Sequence, residues 1–131
     1  AQIGEVPVGA VVVHQDEIIA QAHNTVEKDG VAFHHAEINA LTQAAKKCGT
    51  SRLTDCDLYI TLEPCLMCAG AILHMLIRRV IFAAWEPKTG VAGSLKNVFA
   101  DKKLNHHTAV FSGVCEKQAQ NMLKAFFSAK R

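Results

Sequence analysis

No apolar run in this sequence approaches the ~18 residues that a membrane-crossing helix requires, so a helical span is excluded. Nor does the chain carry the charged, apolar and small-residue succession of a secretory signal. Charge of one sign is not in excess: 14 Lys and Arg stand against 12 Asp and Glu, a formal net charge of +2. With seven histidines and a pI near 8.4, that balance permits an anionic partner without demanding one. The five cysteines (Cys48, Cys56, Cys65, Cys68, Cys115) are odd in number and lack framework spacing. That argues against a disulfide scaffold and for a thiol chain of the cytoplasm. Repeats, linkers and low-complexity tracts are missing too, so residues 1–131 are expected to form one domain, large enough to bury a core unaided. The chain opens at Ala1 rather than Met, almost directly in a strand, which leaves room for a trimmed N-terminus.

What is present alternates between strand and helix signals. Val8 to Val13 is a β-branched run, and HQDE turns it into a second strand from Ile18 to Ala22, a hairpin. Residues 23 to 33 read as a loop. HAEINALTQAAKKC is rich in helix formers and stops at Gly49, a natural residue just past a helix end. DLYITL reads as a buried strand. Pro64 suits the first turn of a following helix, CLMCAGAILHMLI. RVIFAA is a further strand, KTGVAGS a glycine-rich loop, and TAVFSGV a fifth strand. Glu116 to Lys130 is amphipathic, with Met122, Leu123, Phe126 and Phe127 apolar. The sum is an α/β layer fold with a hairpin start and mixed strand directions.

Cys65 and Cys68 sit three apart behind Pro64 and follow a strand, as a redox pair would. The rest of the chain favours a different chemistry. Upstream, HHAE opens another helix, and His35 with Cys65 and Cys68 makes three metal ligands, one short of a closed tetrahedron. Three protein ligands and an open position are how a catalytic zinc is held. No second CxxC and no HxxxH is available to close the site. Both motifs begin helices, whose N-terminal partial charge favours the thiolates that zinc needs. In mid-helix, His35 and Glu37 would point to nearly opposite sides. At a helix start, with side chains leaning toward the N-terminus, both can approach a metal beyond the helix end. Two thiolates and a neutral imidazole cancel the charge of Zn²⁺, and a nearby carboxyl is then well used as a proton shuttle.

His-x-Glu followed by Pro-Cys-x-x-Cys is the signature of zinc nucleobase deaminases. The chain resembles their bacterial tRNA-specific adenosine deaminase type essentially end to end, in GEVPVGAVVV, HAEINAL, LYITLEPCLMCAGAIL, RVIFAA, KTGVAGS and LNHH. PCLMCAGA and KTGVAGS discriminate it from guanine and deoxycytidylate deaminases. The resemblance implies a three-layer α/β/α cytidine-deaminase-like fold, with helices on both faces of a five-stranded mixed sheet. It implies a cytoplasmic homodimer with one zinc per chain on His35, Cys65 and Cys68. The activity it implies is hydrolytic conversion of adenosine to inosine at the wobble position of a tRNA anticodon stem-loop, by attack of zinc-activated water on C6 with Glu37 shuttling protons. Asn24 matches an asparagine that contacts the target nucleotide. A deaminase of guanine, cytosine or a free nucleotide, and a non-catalytic zinc subunit of the same fold, are the competing readings. The intact Glu37 argues against the second of these.

Three departures stand out. The resemblance leads one to expect a helix ahead of Glu5 and Pro-Thr-Ala where this chain has Ala32-Phe33-His34. Trp85-Glu86 replaces a small or polar residue followed by Asp. Trp85 offers a stacking face for a neighbouring base, or a lid over the core, and Glu86 an acceptor for a ribose 2′-OH. Elsewhere the plainer reading is favoured. His34 loses to His35 on the His-x-Glu spacing, Glu63 reads as a cap or loop acid, and Cys48, Cys56 and Cys115 as core or surface thiols. Phe126 and Phe127 read as core before base-stacking. Lys88, Lys124, Lys130 and Arg131 are solvated or track phosphates, and His106 and His107 belong to a surface loop.

Overall fold

The computed structural model describes residues 5–129. The valine-rich strand β1 (Gly9–His14) turns back into β2 (Glu17–His23) through Gln15 and Asp16. Both turn residues have positive φ, 50° and 65°, as a two-residue hairpin loop matched to strand twist requires. A four-residue helix, α1 (Val26–Asp29), interrupts the stretch expected to be all loop. Helix α2 (Ala36–Cys48) ends at Gly49, whose φ of 66° no β-carbon opposes. Strand β3 (Cys56–Leu62) leads to α3 (Leu66–His74), which crosses over to β4 (Arg79–Ala84). A 3₁₀ turn at Val98–Ala100, β5 (Ala109–Ser112) and α4 (Glu116–Ala129) complete the chain.

The sheet order is β2-β1-β3-β4-β5, with β1 antiparallel to β2 and β3, and β3, β4 and β5 mutually parallel. Alternation sorts each strand between two faces. Ala10, Val12, Leu58, Ile60, Val80 and Phe82 meet α2 and α3 in the main core. On the opposite face Ala83 meets Ala119 of α4. The result is a three-layer α/β/α fold around a five-stranded mixed sheet.

Two helix boundaries differ from expectation. Pro64 lies before α3 rather than in its first turn, because Cys65, extended at φ −79° and ψ 175°, is the N-cap. The freed Pro64 carbonyl accepts from Val91 N at 3.0 Å. Helix α3 stops at His74 instead of Ile77. Leu76 takes φ 58° and Ile77 N bonds back to Ile72 O at 3.2 Å, a Schellman-type ending that lets Ile77 become fully buried.

Asp57 locks the start of the parallel β3–β4 pair. It is buried and receives both Arg78 (Nε 3.1 Å, Nη2 3.0 Å) and Arg79 (Nε 3.1 Å) in forked geometry. Burial works to raise its carboxyl, but hydrogen bonds from Arg79 and Arg78 outweigh that and hold it below the usual range. A depressed folded value means stability that is present above the unfolded pKa of about 3.9 and lost as pH falls through the folded one. Asp57→Asn should therefore lower the urea midpoint at neutral pH, and its gap to the parent protein should close below about pH 4. Urea titrations across that range measure it.

Candidate active site

The N-termini of α2 and α3 converge. His35 is the N-cap of α2 (φ −70°, ψ 158°) and Cys65 that of α3, and neither side chain caps its own helix. Both are free to face the same space. His35 Nδ1 lies 3.7 Å from Cys65 Sγ and 3.4 Å from Cys68 Sγ, and the three ligand atoms fall within 4.8 Å of one another. Spacing by three along α3 puts the two sulfurs on one side, and Cys68 is fully buried.

The three side chains shift one another's proton affinity. The Cys65 thiol is drawn down to about 4, first by the hydrogen bond from Cys68 and, against the burial cost, by His35. Cys68 is pushed up by that same bond and by burial. His35 is raised, mainly by its bond to Cys65. Two sulfurs and an imidazole, one sulfur already inclined to be anionic, fit a zinc ion as donors. His35 and Cys65 also line a cavity of about 340 Å³, so the cluster has an open side.

Glu37, the second residue of α2, lines the same cavity and is 4% exposed. Burial above all holds its carboxyl above the usual range. Asn24 comes to the cavity from the end of β2, buried, with its Nδ2 3.5 Å from Glu5 Oε1. His34 points elsewhere and pairs with Asp29 at 2.7 Å.

Trp85 and Glu86 stand outside the cavity lining. The Trp85 ring meets Phe82 edge-on at 4.9 Å and covers Gly93, yet stays 41% exposed. It is partly lid and partly free face. Glu86 bonds its own loop, accepting from Lys88 N at 2.9 Å. Phe33 is exposed, its ring edge-on to His34. Cys48 and Cys115 are exposed and Cys56 is buried, all apart from the ligand cluster. His106 is half-buried and bonds Ile77 O at 2.8 Å, whereas His107, Lys88 and Lys124 are exposed. The side chains of Phe126 and Phe127, and residues Lys130 and Arg131, lie outside the described residues.

Glu5 drew no role from the sequence, and Glu63, read there as a cap or loop acid, holds a loop through both carboxylate oxygens. Glu5, 1% exposed, accepts from Glu27 N (3.0 Å) and Lys28 N (2.6 Å) at the start of α1, a helix the sequence did not announce. Glu63, 3% exposed, accepts from three amides and a hydroxyl of residues 86–94. Burial works to raise the Glu63 carboxyl, and these donors together bring it below the usual range. Its place directly before PCLMC was a signal of position, not of role.

Fold and site together define the class: a cytidine-deaminase-like fold with a candidate metal centre at two joined helix starts. The family model of MafB19-like deaminases matches residues 1–131. The tRNA-specific adenosine deaminase of Bacillus subtilis (strain 168) is 46% identical over 128 residues, 98% of this chain and 80% of its own. That of Haemophilus influenzae (strain ATCC 51907 / DSM 11121 / KW20 / Rd) is 46% identical over 132 residues, 98% and 75% of the two chains. The chain belongs to the family of tRNA-specific adenosine deaminases. A structure from work on A-to-I editing by tRNA:A34 deaminases superposes with a TM-score of 0.90 at 38% identity, covering 93% of this chain and 88% of that one. A guanine deaminase from Bacillus subtilis gives 0.61 at 32% identity, covering 92% and 79%.

Proposed function

We propose that this chain, as one deaminase domain over residues 1–131, converts adenosine to inosine at the wobble position of a tRNA anticodon. The observation that carries the reading is the meeting of His35, Cys65 and Cys68 with buried Glu37 at one cavity. In this reading His35, Cys65 and Cys68 hold one zinc per chain, and the chain works as a cytoplasmic homodimer. No described helix is long and apolar enough to cross a membrane. Bound zinc supplies Lewis acidity that makes water a competent nucleophile near neutral pH. Glu37 takes one proton from the attacking water and passes it to the purine ring nitrogen, then carries the second, from the added hydroxyl, to the departing amine. Adenosine and water thus give inosine and ammonia. Asn24 orients the base in the cavity. Trp85 stacks a neighbouring base with its free face, and Glu86 accepts from a ribose 2′-OH.

Guanine is the competing substrate, since a guanine deaminase shares the fold at 32% identity. The adenosine reading is favoured by the higher identity and closer superposition of the tRNA-acting relatives. Incubation with an anticodon stem-loop, the same adenosine in a duplex, free guanine and cytidine decides between them. The stem-loop adenosine should react far faster than the paired one, because the target base must leave its stack to reach the cavity. Its binding should weaken steeply with salt, as phosphate contacts release counterions. Turnover of guanine alone, insensitive to salt, would overturn the reading.

A further inference from the structure

The loop from Trp85 to Ser94 is built around one side chain. Glu63 Oε1 accepts from Glu86 N at 2.9 Å and from Ser94 Oγ, and Oε2 accepts from Ala92 N at 2.8 Å and Ser94 N at 3.0 Å. Between these anchors the loop leans on the residues after Glu63: Val91 N donates to Pro64 O at 3.0 Å, and Gly90 bridges Cys65. A β-carbon at Gly90 would lie 2.2 Å from the Glu63 carboxyl carbon, so the contact requires glycine there. Thr89, within the clasped segment, lines the cavity with His35, Glu37 and Cys65.

We propose that Glu63 is a positioning residue for the reaction: its carboxylate clasps the 86–94 loop onto the Cys65 segment and thereby sets the cavity wall that receives the substrate nucleotide. This role rests on the deaminase reading above. Only an acid suits the position. Four donors converge on two oxygens, and an isosteric amide would aim its own N–H groups at one pair of them. The Ser94 hydroxyl can rotate to accept, but the backbone N–H groups cannot. Without the clasp, Thr89 would no longer be held at the cavity, and Trp85, at the foot of the loop, would lose its fixed relation to it. The site would retain its ligands and Glu37 but accept substrate less readily.

Two variants test this, Glu63→Gln and Gly90→Ala, the second displacing the carboxylate without replacing it. Each is expected to retain its zinc and to raise KM for an anticodon stem-loop about tenfold, with kcat at saturation close to the parent's. Amide exchange at Glu86, Ala92 and Ser94 should quicken about tenfold or more. Combined, the two changes should be little worse than either alone, since both undo one contact. If Glu63→Gln does not fold, Gly90→Ala carries the test by itself. Earlier melting with unchanged KM and unchanged loop exchange would make Glu63 a fold staple only and overturn the proposal. Loss of zinc with loop protection intact would overturn it as well, by moving the effect to the metal. Exchange is read without substrate, so a parent protein inert toward the stem-loop would sink the deaminase reading while leaving the clasp separately measured.

Discussion

Glu37→Ala is expected to leave the protein folded and its zinc in place while deamination of an anticodon stem-loop falls by about 10²–10⁴-fold. The expectation follows from position. Glu37 lies one residue into α2 from Ala36, with His35 capping that helix, and its carboxyl is buried at the cavity. It stands outside the candidate ligand cluster, so in the proposed reading its loss removes a proton carrier and leaves the ligands in place. The stability cost should be small or negative, because the side chain is buried and burial disfavours its charged form at neutral pH. Metal analysis beside single-turnover rates separates the outcomes. A variant that arrived without zinc would make Glu37 a ligand and the assigned role wrong.

The second large effect is that of the metal. Chelation, or Cys68→Ala, should abolish deamination altogether and lower the melting temperature, and zinc should restore both in the chelated protein only. In the zinc reading, a cation held more tightly by the folded site than by the ligands of the unfolded chain stabilises by mass action, up to about 4 kcal/mol at a free ion concentration 1,000 times Kd. The cluster joins the starts of α2 and α3 across 30 residues of chain, so its loss should loosen both helix N-termini rather than one. Thermal melts with and without chelator, read against zinc content, measure it. A chelated protein with unchanged melting and full activity would remove zinc from the account.

How far the sequence reached can be judged from particular residues. The hairpin, α2 ending at Gly49, β3, β4 and the candidate ligands were legible, because each rests on a pattern a few residues long. Alternation sorts a strand's faces, glycine permits the left-handed turn, and spacing by three aligns two sulfurs. Those rules hold whatever surrounds the segment. Where α3 stops was not legible, since its end depends on Ile77 finding a buried place against the main core. The short helix α1 was hidden for a similar reason. Four residues carry almost no propensity signal, and the carboxylate that caps them, Glu5, comes from 22 and 23 residues away.

By itself, then, the sequence determined the alternation of elements, the trio His35, Cys65 and Cys68, and Glu37 beside it, all through local periodicity and the chemistry of side chains. Only the tertiary structure decided that Asn24 reaches the cavity while Trp85 stands outside its wall, and that Glu63 organises a loop lying 23 to 31 residues downstream. The physical reason is that a carboxylate accepts from any donor brought within about 3 Å, with no preference for sequence separation. Which donors arrive is settled by the packing of the whole sheet, and no spacing along the chain records it.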